Sequence, residues 1–259
     1  MFHRKLILAE KEKETELERL IKAEFTRNKG RYGVRRIAAS LRGKGHPINH
    51  KVVQRIMKKL GLKGKTAKKR RKYSSFMGEV GKVADNLLQR KFRVNTPNKV
   101  FVTDVTEFSL EWGKVYLSPV MDLYNRQIIG YDIARHPDFG QIRRMMRNAF
   151  DNREIAEGAL FHSDQGWQYQ MKEFGEMLTN LGIAQSMSRK GNCHDNSVME
   201  NFFGRLKVEM FYGNENTFKN YEDFRLALEE YILWYNQERI KEYLQWKSPI
   251  QVLPTSANL

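Results

Sequence analysis

The chain has one cysteine, Cys193, in 259 residues, so no disulfide can form within it and packing must stabilise the fold. No apolar run approaches the ~20 residues that a membrane-crossing helix needs. The apolar stretch after Met1 is too short, and too soon followed by charge, for a signal peptide. Together these absences lead us to expect a cytoplasmic protein. Acidic residues are also scarce, 30 against 46 Lys and Arg, for a net charge of +16. The shortage is local: residues 1–73 hold 24 basic and 6 acidic residues, and the rest of the chain holds 22 and 24. A basic arm without a Trp/Phe/Leu-rich face suits nucleic acid better than a membrane surface. Each phosphate it neutralises releases a counterion, so binding should weaken steeply with salt.

Within that arm, residues 1–30 read as a charged helix carrying Leu6, Leu17, Leu20, Ile21 and Phe25. Val34, Ile37, Ala38 and Leu41 fall at helical spacing, and Gly43, Gly45 and Pro47 break the pattern. Asn49 can cap a further helix bearing Val52, Val53, Ile56, Met57 and Leu60, which Gly61 ends. Two short helices with a tight break suggest a helix-turn-helix, although many small helical hairpins share the pattern. His50, Lys51, Gln54, Arg55 and Lys58 are the polar positions that could face DNA, and Arg55 and Lys58 are expected to contact it. Seven of the eleven residues in 63–73 are basic. This run reads as a self-repelling, extended linker that can also track phosphates through Lys68, Lys69, Arg70 and Arg71. The boundaries expected are 1–62 for the basic helical region, 63–96 for linker and transition, and 97–255 for a catalytic core.

Beyond Pro97 the pattern turns to β. Residues 99–108, 114–124 and 127–133 read as three antiparallel strands. Helical and strand segments then alternate: helix over 140–150, strand over 159–164, helix over 171–181, strand over 183–187. Two helices follow, from about Asp195 to Phe211 and from about Tyr221 to Tyr235. The sum is a mixed α/β sheet with helices on both faces.

Three carboxylates stand out. Asp104 lies within an apolar strand, where an ionised carboxylate is costly unless it is paired or metal-bound. Asp164 ends another strand, the position that faces the ligand crevice of open α/β sheets. Glu200 sits early in a helix that can cross the sheet edge to the same crevice. Convergent carboxylates without a His/Cys cluster suit Mg²⁺, and two such ions can serve phosphoryl transfer on nucleic acid. Each acid taken singly could equally be a surface or capping group. Asp122 is the nearest rival, and Asp195 reads as the N-cap of the helix that carries Glu200. Lys207, two turns beyond Glu200, shares its face and could grip a DNA backbone. His162 reads as a structural polar residue, the Cys193-His194 pair lacks partners for a metal site, and Trp234 and Tyr235 read as core.

At these residues the chain resembles the second-reading-frame transposases of bacterial insertion sequences, the DDE branch closest to retroviral integrases. The resemblance spans roughly 20–255. It is carried by Tyr32-Gly33, by Val102-Thr-Asp-Val-Thr106 and by His162-Ser-Asp-Gln-Gly-Trp-Gln-Tyr169. Ser188-Arg-Lys-Gly-Asn192, Asp195-Asn196, Glu200-Asn-Phe-Phe203 and Tyr235-Asn236 with Arg239, Leu244, Ser248 and Pro249 complete it. Thirty-five residues separate Asp164 from Glu200, the family's DD(35)E spacing, with Lys207 seven residues on. The resemblance implies an RNase H-like integrase core, a mixed five-stranded sheet with helices on both faces, behind a small all-α helix-turn-helix-like domain. It also implies catalysis by Asp104, Asp164 and Glu200 with two Mg²⁺ ions, for which Mn²⁺ substitutes. Strand cleavage, then 3′-OH transfer between element ends and target in double-stranded DNA, is the implied reaction. A homo-oligomer on DNA and an upstream-frame DNA-binding partner are the implied assembly. Lys241 departs from the pattern, standing where histidine is usual. The rival functions are a nuclease of the same fold without joining activity and a domesticated DNA-binding regulator.

Overall fold

The computed structural model describes residues 2–66 and 81–252. The chain divides into two compact units, Met1–Lys68 with Ile240–Lys247, and Lys69–Arg239 with Ser248–Leu259. Lys68, Lys69, Arg70 and Arg71 of the basic run lie outside the described residues.

The first unit is helical. Helix α1 spans Phe2–Arg27, α2 Val34–Gly43 and α3 His50–Lys59. Ile21, Ile37, Ala38, Leu41, Val53 and Ile56 are buried where they meet. Asn49 caps α3 by accepting from the Lys51 N–H at 2.9 Å, as the sequence led us to expect. The buried Glu24 carboxylate ties α1 to α2, accepting from Ser40 Oγ at 2.6 Å and from Lys44 Nζ. The C-terminal segment Ile240–Lys247 also belongs to this unit. Its Ile240 N–H donates to Tyr32 Oη at 3.0 Å, and Arg36 Nε donates to the Ile240 carbonyl at 3.1 Å. Tyr32 of the Tyr-Gly motif therefore holds chain from the far end of the sequence. Lys241 is buried there, and its N–H donates to the Lys247 carbonyl at 3.1 Å.

The second unit is built on a sheet of six strands: β1 Val100–Thr103, β2 Thr106–Leu110, β3 Gly113–Asp122, β4 Ile128–Ala134, β5 Leu160–Ser163 and β6 Ala184–Met187. The expected single strand over 99–108 is broken at Asp104-Val105. Both pieces pair antiparallel with β3, β1 with its 120–122 end and β2 with its 113–117 end. The six strands therefore fill five lateral positions. β4 flanks β3 on its other side, and β5 and β6 continue the sheet in parallel beyond β1. Helices α4 (Phe139–Phe150), α5 (Trp167–Gln170) and α6 (Lys172–Asn180) bury Ile142, Met145, Phe150, Tyr169, Phe174 and Leu178 with Phe101 and Phe161 of the sheet. Helix α4 crosses β4 closely at Gly130, where a Cβ would lie 2.5 Å from the Ala149 backbone. Helix α7 (Ser197–Leu206) and α8 (Tyr221–Gln237) complete the unit, with Phe202, Tyr231, Trp234 and Tyr235 buried. The expected continuous helix over 195–211 is in fact α7 flanked by a 3₁₀ turn at Cys193–Asn196 and a π-turn at Lys207–Phe211. The π-turn puts Glu209 in the interior, where Arg239 and Tyr231 hydrogen-bond its carboxylate.

Candidate active site

Asp104 does not lie within a strand. It follows the last residue of β1, and its carboxylate accepts from the Val105 N–H at 2.8 Å across the strand break. Asp164 follows β5, the parallel neighbour of β1, so both aspartates leave the same end of adjacent strands. The Asp164 carboxylate accepts from the Gly166 N–H at 2.9 Å, a local turn that aims the chain into α5. Glu200 lies in the first turn of α7. The turn before α7 is tied to this strand end, because buried Asn196 donates to the Thr103 carbonyl at 3.1 Å.

Charge tells how these groups see one another. Burial pushes the Asp104 carboxyl well above the usual carboxylate range, and the Asp164 and then the Glu200 carboxylates push it further. The Val105 N–H and the Lys207 ammonium act against them. Burial also raises Asp164, opposed by its Gly166 hydrogen bond. Tyr169, fully buried with its hydroxyl 3.4 Å from Thr103 Oγ1, is pushed up by burial and then by Asp104 and Asp164. Three carboxylates thus share one field, and neither Asp104 nor Asp164 makes an ion pair among the described residues. A hard cation with oxygen ligands relieves this repulsion, so the donor chemistry fits Mg²⁺. As placed, no set of three His, Cys, Asp or Glu side chains among the described residues is gathered tightly enough to hold one ion.

Lys207 is half-buried rather than solvated. Its Nζ donates to the Glu107 carbonyl at 2.9 Å and lies 5.1 Å from the centre of the Phe108 ring, while its charge is felt at Asp104. Asp122, the rival acid, serves a turn instead, accepting from the Asn98 and Tyr124 N–H groups at 2.8 and 2.9 Å. His162 is structural. It is fully buried, with Nδ1 2.9 Å from Ser186 Oγ and Nε2 3.1 Å from the Asp195 carbonyl, and burial lowers it to about 4. In the first unit, His50, Lys51, Gln54, Arg55 and Lys58 are all exposed on α3, as the helical spacing implied. Arg55 there pairs with Glu14 at 3.0 Å.

Asp195 is a correction. It does not cap α7, whose N-cap is Asn196 without a side-chain cap bond. Asp195 is fully buried, and its carboxylate accepts from Arg90 Nε at 2.7 Å, Arg189 Nε at 2.9 Å and Asn86 Nδ2 at 2.9 Å. The Arg189 side chain beside it, first among these partners, holds its carboxyl well below the ordinary value. The local motif Asp-Asn-Ser suggested a cap, but the partners come from 105 residues upstream and from the loop after β6, and helical periodicity cannot show either. Asn196, Tyr169, Arg90 and Arg189 were not singled out from sequence. Asn196, Tyr169 and Arg189 stand inside the quoted motifs, which was the available signal, and Arg90 stands outside them.

A broken interior strand carrying one buried acid, a parallel neighbour carrying the second and helix α7 carrying the third define an integrase-type core of RNase H-like architecture, and the helical unit is a helix-turn-helix-like module. The "Integrase core domain" family model matches residues 94–193, a second model of that description matches 200–252, and an "HTH-like domain" model matches 11–70. The chain is 54% identical over 211 residues to an uncharacterized transposase-like protein of Haemophilus influenzae, covering 82% of this chain and 95% of that one. It is 45% identical to the putative transposase InsK for insertion sequence element IS150 of Escherichia coli, covering 94% and 85%. To the transposase InsF for insertion sequence IS3A of Escherichia coli it is 32% identical, covering 90% and 80%. Among solved structures, a chain of the simian T-cell lymphotropic virus intasome in complex with PP2A regulatory subunit B56 gamma matches with a TM-score of 0.54. The identity is 16% and the coverage 82% of this chain and 73% of that chain, which shows the fold alone. The chain belongs to the insertion-sequence transposases, polynucleotidyl transferases with an integrase-type core. Among the described residues no helix is long and apolar enough to cross a membrane.

Proposed function

We propose that this transposase cuts DNA at the ends of its insertion sequence and joins the freed 3′-hydroxyls to target DNA, with Asp104, Asp164 and Glu200 as the catalytic carboxylates. The observation that supports the assignment is the placement of Asp104 and Asp164 at the same end of adjacent parallel strands, with Glu200 in the first turn of α7, which Asn196 ties to that strand end. Asp104, Asp164 and Glu200 would hold two Mg²⁺ ions, or Mn²⁺ in their place, which when bound supply positive charge to the phosphate in transfer. Water attacks a phosphodiester, one P–O bond forms as another breaks, and a 3′-hydroxyl leaves. That hydroxyl attacks a second phosphodiester with the same balance, so no protein–DNA adduct is required. Lys207 contributes a cation at the rim of the cluster for the DNA backbone. Arg55 and Lys58 on the exposed face of α3, with Lys68, Lys69, Arg70 and Arg71, hold the duplex by phosphate contacts. In this reading the module through residue 62 binds, 63–96 connects and 97–255 catalyses. A homo-oligomer pairs the two ends, with an upstream-frame partner adding end recognition.

The test is cleavage and joining of labelled duplex bearing the element's ends, in Mg²⁺ or Mn²⁺, wild type beside Glu200→Gln. Gln keeps the shape of Glu and lacks its anionic oxygen. We expect joined product from wild type and a loss of at least ~10³-fold in the variant with DNA binding retained. Cleavage without joining would mean a nuclease, binding without either reaction a regulator, and equal activity of the two proteins would remove Glu200 from the site.

A further inference from the structure

Residues 84–88 precede the sheet in sequence and lie along its β6 edge, and Gly81 before them reaches α5. The Gly81 N–H donates to Gln170 Oε1 at 3.2 Å, and a Cβ there would fall 2.2 Å from the Gln170 carbonyl oxygen, so only glycine allows this approach. Ser186 Oγ on β6 accepts from the Leu87 and Leu88 N–H groups at 2.9 and 3.2 Å, and the Leu88 side chain is buried. Gln89 and Arg90 follow with φ of 49° and 61°, both in the left-handed region that disfavours residues with a side chain. Asn86 Oδ1 holds this turn by accepting from the Gln89 N–H at 2.8 Å. Strained backbone of this kind persists where its surroundings over-determine it, and it concentrates at ligand sites.

The turn brings Arg90 to Asp195 from one side, and the loop after β6 brings Arg189 from another. Beside them opens a cavity of about 340 Å³ walled by Asn86, Gln89 and Arg189, within the size range of small-ligand sites. One buried carboxylate fixes both guanidiniums, yet the Arg90 and Arg189 side chains stay 44% and 60% exposed. Leu87, 51% exposed, adds an apolar surface on the same turn. The loop bearing Arg189 runs on through Asn196 into α7 and Glu200, and the Asp195 carbonyl is bound by His162, two residues before Asp164.

We propose that this cavity is a nucleotide subsite that takes one phosphate of the DNA strand on Arg189 and the attached base against Asn86 and Gln89, with Arg90 holding Asp195 from the other side. The proposal rests on the DNA reading above. Asp195 takes Nε and Nη2 of Arg189, so that guanidinium is already fixed in direction and keeps its Nη1 donors for a phosphate oxygen, and little side-chain freedom is lost on binding. The amides of Asn86 and Gln89 each carry donors and an acceptor, which suits a base edge. Asp195 acts here as a positioning residue, since it touches the arginines and not the nucleotide.

The experiment uses the full chain and fluorescence anisotropy on a labelled duplex with an unpaired overhang, between 50 and 200 mM salt, for wild type, Gln89→Glu and Gln89→Ala. Gln89 takes no part in the Asp195 pairs, so these variants should melt as wild type does, and melting is measured alongside. A carboxylate in the cavity repels phosphate: Gln89→Glu should bind at least ~10-fold more weakly, with the slope of log K against log salt shallower by about 0.7, one single-strand phosphate's share. Gln89→Ala should lose ~3-fold. Wild-type binding and slope in Gln89→Glu would overturn the subsite while leaving the transposase reading in place. A wild-type chain that binds no DNA would overturn both. Saturable binding of thymidine monophosphate that Gln89→Glu abolishes, with DNA binding unchanged, would replace the DNA strand by a free nucleotide and overturn the proposal as stated.

Discussion

Asp104 and Asp195 belong to the same unit, are 5% and 0% exposed, and have opposite electrostatic fates. Asp195 is surrounded by Arg90, Arg189, Asn86 and a backbone N–H, and its carboxyl is held low. Asp104 has one backbone N–H, two acidic neighbours and a lysine turned partly to a carbonyl, and its carboxyl is pushed up. Burial alone therefore does not mark a functional acid. A buried carboxylate with its cations supplied by the chain is finished structure, whereas one supplied with further carboxylates is completed by something from outside. Glu209 belongs with Asp195, because Arg239 closes on it with both partners nearly fully buried.

If that contrast is right, removing charge should act on different properties at the two places. The largest expected effect is at Asp104. Asp104→Asn should cut end-joining at least ~10³-fold and, with a chelator present, should leave Tm unchanged or higher, because it removes repulsion as well as charge. A large fall in Tm with activity kept would invert the comparison. Next comes the Asp195 side. Arg90→Gln with Arg189→Gln leaves the buried carboxylate without its cations and should cost on the order of 3 kcal/mol, roughly 6–12 °C in Tm, by thermal melting. A double variant that melts like wild type would make Asp195 no more structural than Asp104.

The ligand-linked effect is smaller. If Asp104, Asp164 and Glu200 complete their field with a cation, Mg²⁺ at 100 times its dissociation constant should stabilise the fold by about 2.7 kcal/mol. Asp164→Asn should abolish that gain, measured as Tm against Mg²⁺ concentration. Equal gains in wild type and variant would place the ion elsewhere.

Much of this was legible in the sequence because its signals are local. Asn49 caps α3 because a short acceptor before a helical run has one inexpensive place to go. The period-2 runs marked β3, β4 and β5 within a residue or two. The resemblance to the family's DD(35)E pattern singled out Asp164 and Glu200 before any contact was known. What sequence could not show is non-local. The break at Asp104 falls within what reads as one strand, and its two halves pair separately along the same side of β3. The Arg90–Asp195 pair spans 105 residues, and the Tyr32–Ile240 hydrogen bond spans 208. Lys207 kept its place beside Glu200 in sequence, but its bond to Glu107 depends on β2 lying against the π-turn.

The smallest effect tests the sign of the contrast. A carboxyl whose folded value lies below its unfolded value of 3.8, as for Asp195, adds stability that is present above pH 3.8 and lost as pH falls through the folded value. The unfolded chain binds that proton first, so acid favours unfolding there. For a carboxyl whose folded value is raised, as for Asp104, the folded chain binds first, and stability rises as pH falls toward 3.8. With a chelator present, the Tm of wild type minus that of Asp195→Asn should shrink by about 2–4 °C as pH drops from 5 to 3. The Tm of wild type minus that of Asp104→Asn should grow as pH drops from 7 toward 4. Two slopes of the same sign would mean that the chain treats both buried aspartates alike, and the electrostatic ground for choosing Asp104 as catalytic would be gone.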